Sequence, residues 1–269
     1  MAKLPRRFWH EMTTTDFASP DVSDWIAVLP VAAIEQHGPH LPVITDTAIA
    51  NGQIARVVEL LPADLPATFL PVQAIGKSNE HISSPGTLTL NWETVTKAWY
   101  EIGESVARAG IRKLVLINSH GGNVPIIDIV ARELRVHYEM LVTATAWARF
   151  GQPEGLFPAE EFTYGIHGGD IETSIMLHLH PDLVRMDQAR DFRSAQQDYI
   201  KNYKYLRGHG PQQYGWKAQD LNPAGALGNA ANATAEKGKL SLDHAAQGFV
   251  DLLHDIHAFD VDDLWQPEG

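Results

Sequence analysis

Ile34-Glu35-Gln36-His37-Gly38-Pro39-His40-Leu41-Pro42-Val43-Ile44-Thr45-Asp46 stands directly behind an apolar run, Trp25 to Ile34, and the order of these two stretches decides the fold class. The run is short, uncharged and rich in β-branched residues, the pattern of a buried strand. Pro30 inside it predicts an edge position or a bulge. Beyond the strand come a carboxylate, an imidazole two residues later and a second carboxylate nine residues after that. Side chains two apart on an extended backbone point to the same side, so Glu35 and His37 can converge on one point.

Reading outward, Thr47 to Leu61 places Ile49, Ile54, Val57, Val58 and Leu61 at helical spacing and ends at Pro62. Phe69 to Val72 reads as a second strand, and Ala74 to Leu90, with Gly76, Pro85 and Gly86, as a long loop. From Asn91 to Ala109 the set Trp92, Val95, Trp99, Ile102 and Val106 recurs every three or four residues and stops at Gly110, an amphipathic helix with its terminal glycine. Lys113 to Ile117 is a strand apolar on both faces. A helix from about Pro125 to Tyr138 and a strand from Leu141 to Trp147 follow. Alternating strands and helices predict an α/β protein with a mainly parallel sheet flanked by helices, in which ligands collect beyond the carboxyl ends of the strands. Gly151 to Gly169 reads as a second long loop, and Asp170 to His180 as a helix carrying Glu172 in its first turn. Asp191 to Gly238 reads as irregular structure or a lid, and Ser241 to Phe259 as a closing amphipathic helix.

At 269 residues and 44% apolar content, a single domain spanning 1–269 is expected. The chain has no cysteine, so any metal must be held by nitrogen and oxygen. Its net charge of -12 argues against a nucleic-acid partner. Lys3, Arg6 and Arg7 near the amino terminus have no apolar segment behind them, and no stretch reaches membrane-spanning length. A soluble cytoplasmic protein without a membrane partner is the expectation. Asn232-Ala233-Thr234 matches a glycosylation sequon, which without a secretion signal is read as chance.

Two later segments can bring ligands to Glu35 and His37: Asn118-Ser119-His120-Gly121-Gly122-Asn123 and His167-Gly168-Gly169-Asp170-Ile171-Glu172. Each residue taken alone has another explanation. Asp46 can be a helix cap, His120 a histidine in a tight turn, and Glu172 an answer to the helix dipole. The His-Gly-Gly-Asn string also occurs in oxyanion loops of lipase-like hydrolases, but the chain has no Gly-x-Ser-x-Gly elbow. Together, Glu, His, Asp, His and Glu from three distant segments are the donor set of a divalent metal centre. His178, His180, His254 and His257 read as helix-surface residues. Trp9, Trp25, Trp92, Trp99, Trp216 and Trp265 read as core or interface.

Ile34-Glu35-Gln36-His37-Gly38, Asp46, the Asn118–Asn123 block and His167-Gly168-Gly169-Asp170-Ile171-Glu172-Thr173-Ser174 resemble the signature blocks of the creatininase (creatinine amidohydrolase) family. Gly76-Lys77-Ser78-Asn79-Glu80-His81, followed by Pro85-Gly86-Thr87, resembles a fourth block in the right order, so the likeness spans Leu29 to Leu183. The resemblance implies a three-layer α/β fold, a centre of two divalent ions (Zn2+ and/or Mn2+), and a homo-oligomer such as a hexamer. Matched position by position, Glu35, His37, Asp46, His120 and Glu172 are metal ligands, with Asp46 between the ions. By the same matching His167 is the proton-transferring catalytic residue, and Ser78 and Trp147 contact substrate.

This chain departs from the creatinine-cleaving pattern in two places. Gly122 replaces a metal-binding glutamate, and Thr163 stands where a second substrate-flanking tryptophan is expected. The implied activity is hydrolysis of a small polar cyclic amide or a related C–N bond. Relatives trim peptides, remove formyl groups, or open a cyclic polyol ketone at a C–C bond, so the last is kept as an alternative. A metal-binding protein without catalysis is the reading from another class.

Overall fold

The structure, a computed structural model, describes residues 4–265; Lys3 of the basic amino-terminal group lies outside them. Four parallel strands form the central sheet: β1 (Ile26–Val31), β2 (Ala67–Phe69), β3 (Lys113–Asn118) and β4 (Leu141–Ala146), in the order β2-β1-β3-β4. All six residues of β1 and of β3 are buried, as the apolar runs predict. The period of two divides them between two cores. Ala27, Leu29, Val31, Leu114 and Leu116 face α2 (Trp92–Arg108) and α3 (Val124–Tyr138), packing on Trp99, Val106, Ile127, Val130 and Leu134. Ile26, Val28, Val115 and Ile117 face α1 (Thr45–Leu60) and α8 (Ala235–Ala258), packing on Ile54, Val57, Ala245, Phe249 and Leu253. Burying both faces of a sheet under helices is the three-layer arrangement.

Pro30 is not at an edge, because β1 is an inner strand, but it lies where the register toward the β2 side slips by one residue, from Val28 opposite Phe69 to Val31 opposite Gln73, the irregularity expected of a proline. Ile26 donates its N–H to Pro66 and Val28 accepts from Leu70, so alternate residues of β1 bond toward β2. Pro30 belongs to that set, but it lies beyond Phe69, where β2 has ended. Its carbonyl accepts from the Gln73 N–H at 2.9 Å and Ala32 donates back to the Gln73 carbonyl, so the missing donor falls at the one-residue slip between Leu70 and Gln73.

Other boundaries also move. The second strand starts at Ala67 rather than Phe69. The expected loop over 151–169 contains a short helix, α4 (Ala159–Tyr164). α5 (Asp170–Leu179) follows it and packs against α1 and α8 through Ile49, Ile175, Met176 and Leu242. α8 begins six residues earlier than Ser241, capped by the Thr234 hydroxyl, which accepts from the Lys237 N–H. Gly238, inside that first extra turn, has a packing reason: a Cβ there would collide with the Ser174 carbonyl of α5. Between them, α6 (Gln196–Asn202), α7 (Ala218–Leu221) and an antiparallel pair, β5 (Asp191–Phe192) with β6 (Gly228–Asn229), punctuate irregular chain. Trp92 opens α2 exposed, so of the two places read for it the core is excluded. Among the described residues, no helix is long and apolar enough to cross a membrane.

Candidate metal centre

The carboxyl ends of β1 and β3 open into loops that carry Glu35, His37 and His120. The chain after β1 is held in place by the Glu35 N–H, which donates to the Val43 carbonyl, and by an isolated bridge from Ile34 to Leu88. It then returns to place Asp46 in the first turn of α1. Glu172 lies in the first turn of α5. Just before that helix, Gly168 at φ +65° lets the chain turn so that His167 bridges to Leu227.

These residues meet. His37 Nε2 lies 3.4 Å from Asp46 Oδ1, 3.8 Å from Glu172 Oε2 and 3.9 Å from Glu35 Oε1. His120 Nδ1 lies 3.2 Å from Glu35 Oε1 and 3.5 Å from Asp46 Oδ2. His167 Nδ1 lies 3.5 Å from Glu35 Oε1. Three ligand groups follow, each with atoms within 4.8 Å of one another: Glu35, Asp46 and His120; His37, Asp46 and Glu172; Glu35, His37 and His167.

The outward hydrogen bonds of the imidazoles decide which nitrogen faces inward, because a carbonyl can only accept. His37 Nδ1 donates to the Glu35 carbonyl (3.0 Å), His120 Nε2 to the Lys77 carbonyl (3.1 Å) and His167 Nε2 to the Gln36 carbonyl (2.7 Å). Each therefore turns a lone pair toward the carboxylates. Glu35 Oε1, His37 Nε2 and Asp46 Oδ2 are buried without a hydrogen-bond partner. Acceptors facing acceptors in a buried cavity are unfavourable unless a cation lies among them. The set fits a divalent metal, and its mixture of imidazole and carboxylate suits Zn2+ and Mn2+.

The charges agree. Burial pulls His37 down, but Asp46, Glu172 and Glu35 outweigh it and raise the imidazole to about 10. His120 is also raised well above its ordinary value against burial, chiefly by Glu35. The field that would hold protons on these two rings is the field a metal would meet. Burial, with Asp46 and Glu35 adding to it, raises Glu172 to about 7. His167 is stacked between His37 (centroids 4.0 Å apart) and His81 (4.3 Å). Burial and then those two neighbours hold it well below its ordinary pKa, as the neutral form.

Ser78 is fully buried, and its hydroxyl donates to Glu35 Oε2, so it supports a carboxylate of the cluster. Trp147, expected beside substrate, is instead core: its ring packs edge-on to Phe249 of α8 at 5.1 Å, because the chain turns under that helix as soon as β4 ends. Thr163 is exposed on α4. Trp216, read as core or interface, is half-buried and edge-on to His81 at 6.4 Å. His81 and Glu80 had no assigned role, yet both belong here. His81 Nδ1 accepts from the Gln36 amide (2.7 Å), which leaves Nε2–H 3.3 Å from Glu35 Oε1 but outside hydrogen-bond geometry. Glu80 Oε1 lies 3.3 Å from His120 Nε2. Both stand in the Gly76–His81 block, whose likeness to the family marked the stretch, but its polar run has no period that places either side chain.

Parallel α/β topology with a buried imidazole and carboxylate cluster beyond the strand ends is the arrangement of an α/β enzyme with a candidate metal site. The creatinine amidohydrolase family model matches residues 10–253. The chain belongs to the creatininase family, whose members are hydrolases. It is 31% identical over 246 residues to the mycofactocin precursor peptide peptidase of Mycolicibacterium smegmatis, covering 90% of this chain and 86% of that one. To the creatinine amidohydrolase of Pseudomonas putida it is 31% identical over 267 residues, covering 92% and 96%. A crystal structure of creatinine amidohydrolase superposes with a TM-score of 0.75 at 27% identity, covering 95% of this chain and 100% of that one. Creatininase structures with manganese and in a zinc-zinc form resemble it similarly, at TM-scores of 0.73 and 0.72 and identities of 29% and 28%; they cover 93% and 92% of this chain and 98% and 97% of theirs.

Proposed function

We propose that this chain is a two-metal hydrolase that cleaves a small cyclic amide or a related C–N bond. The observation that carries the reading is Asp46, whose Oδ1 faces His37 while Oδ2 faces His120. One carboxylate thus belongs to two ligand groups. Glu35, Asp46 and His120 would hold one ion, and His37, Asp46 and Glu172 the other. When bound, such a pair supplies Lewis acidity that makes water nucleophilic near neutral pH and polarises a carbonyl.

The chain's own part begins with His167. Its Nε2–H is anchored on the Gln36 carbonyl and its Nδ1 is free, so it can accept a proton and return it to the leaving nitrogen. Ser78 holds Glu35 from behind. Trp216 offers an aromatic edge beside His81, in place of the wall that Thr163 does not provide. An amidohydrolase and a peptidase at 31% identity favour C–N over C–C cleavage. We further propose a cytoplasmic homo-oligomer with a small-molecule substrate and no nucleic-acid partner.

The test is metal analysis of the purified protein together with a screen of lactams, formamides, short peptides and cyclic ketones, each with and without chelator. Chelator-sensitive amine release supports the reading. Acid release from cyclic ketones alone would replace it with C–C ring opening, and metal uptake without any turnover with a non-catalytic metal protein.

A further inference from the structure

Behind His120, on the side away from the cluster, Glu80 and Gly122 fit each other. His120 Nδ1 faces Glu35 and Asp46; Nε2, on the opposite edge of the ring, lies between the Lys77 carbonyl (3.1 Å) and Glu80 Oε1 (3.3 Å). The other Glu80 oxygen accepts from Lys77 Nζ at 2.6 Å, so the carboxylate is fixed at both ends. Gly122 is the residue whose missing side chain leaves room for this. A Cβ at 122 would collide with Glu80 Oε1 and lie 2.5 Å from His120 Nε2 and 2.7 Å from the Lys77 carbonyl.

We propose that Glu80 is a positioning residue for His120, sharing its Nε2–H with the Lys77 carbonyl so that Nδ1 is presented to the metal, and that Gly122 is required because it leaves that carboxylate its place. The inference rests on the metal-centre reading. Glu80 itself is not a ligand: its carboxylate lies on the edge of the imidazole opposite to Asp46. A carboxylate behind a metal-binding imidazole fixes tautomer and ring orientation and raises ligand basicity. The same short segment supports the cluster once more, since Ser78 donates to Glu35.

The experiment measures Zn2+ affinity by chelator competition, and stoichiometry at saturating Zn2+, for wild type, E80A, E80Q, G122A and H120A. E80A and G122A are expected to weaken binding about 10- to 100-fold while keeping the wild-type stoichiometry at saturation. H120A is expected to lose bound metal. E80Q, of the same shape, is expected to fold as wild type and to move the His120 Nε2–H proton resonance of the Zn2+-loaded protein upfield, a readout that packing alone does not change. Affinity of E80A within twofold of wild type, or an unmoved resonance in E80Q, would overturn the proposal. Loss of stoichiometry in E80A equal to that in H120A would make Glu80 a ligand and overturn it too. Wild-type protein that takes up no divalent ion would instead remove the metal centre itself.

Discussion

Replacing Asp46 with asparagine asks whether one carboxylate serves two ions. Asp46 lies 3.4 Å from His37 Nε2 through one oxygen and 3.5 Å from His120 Nδ1 through the other, whereas Glu172 belongs to the His37 group alone. In wild type with free Zn2+ at about 100 times a site's dissociation constant, that site adds about 2.7 kcal/mol to stability. In a chain of this size the melting midpoint then rises by roughly 5–11 °C per occupied site. Losing a ligand outright costs at least the ~100-fold seen when a ligand's supporting partner is removed. At the same free Zn2+, each weakened site then falls to about half occupancy and about 0.4 kcal/mol, a shift of ~1–2 °C. D46N should therefore lose the Zn2+-dependent increment of both sites, and E172A that of one. The assay is differential scanning calorimetry in zinc-buffered solution with elemental analysis of the same samples. Reading the increment within each variant cancels any change in the metal-free baseline. A D46N protein that keeps one full increment, as E172A is expected to, would refute Asp46 as the shared ligand.

His167→Ala should lower kcat by about 10²- to 10⁴-fold with metal content unchanged, checked by assay and elemental analysis of the same preparation. Gly238→Ala forces a methyl onto the Ser174 carbonyl where α8 crosses α5. Overpacking of this kind costs about 1–3 kcal/mol, lowering the midpoint by roughly 2–12 °C, and displacement of α5 should weaken Zn2+ binding through Glu172. Burial, reinforced by Asp170, raises Glu161 to about 7 against the Ile171 and Asn229 N–H groups; Asp170 is itself paired with Lys237 at 2.7 Å. The folded protein favours the neutral carboxyl, so Glu161 contributes stability that is full below pH ~4.5 and lost as pH rises through about 7. Urea melts of wild type and E161Q across pH 4.5 to 8 should diverge over that window, and parallel curves would count against it.

Periodicity made the sheet and its covering helices legible. Apolar runs mark β1 and β3, helical spacing marks α1 and α2, Pro125 marks the first turn of α3, and chain order alone implies a parallel sheet. Pro30 was half legible: β1 is an inner strand and not an edge, but the register toward the β2 side slips by one residue across Pro30, from Phe69 to Gln73, and which side of the pairing takes the extra residue depends on another segment. The start of α8 was hidden because its first turns are polar and Gly238 looks like a breaker. Its lack of a side chain is a packing requirement set by α5.

At the site, the five expected ligands converge, and their chemistry is what made them legible. A buried imidazole or carboxylate beyond a strand end is costly unless something binds it, so such residues stand out in a sequence. The residues that hold them carry no such mark. Glu80 in isolation is an acidic loop residue and Gly122 a turn glycine; only distances to His120 relate them. Trp147 packs in the core on Phe249 and Trp216 borders His81 for the same reason, since a ring's chemistry does not say which way the backbone turns it. A sequence therefore shows what a metal needs directly and conceals the contacts that orient it. The sharpest test of the site is accordingly at Glu80 and Gly122, where a substitution alters the presentation of a ligand without removing one.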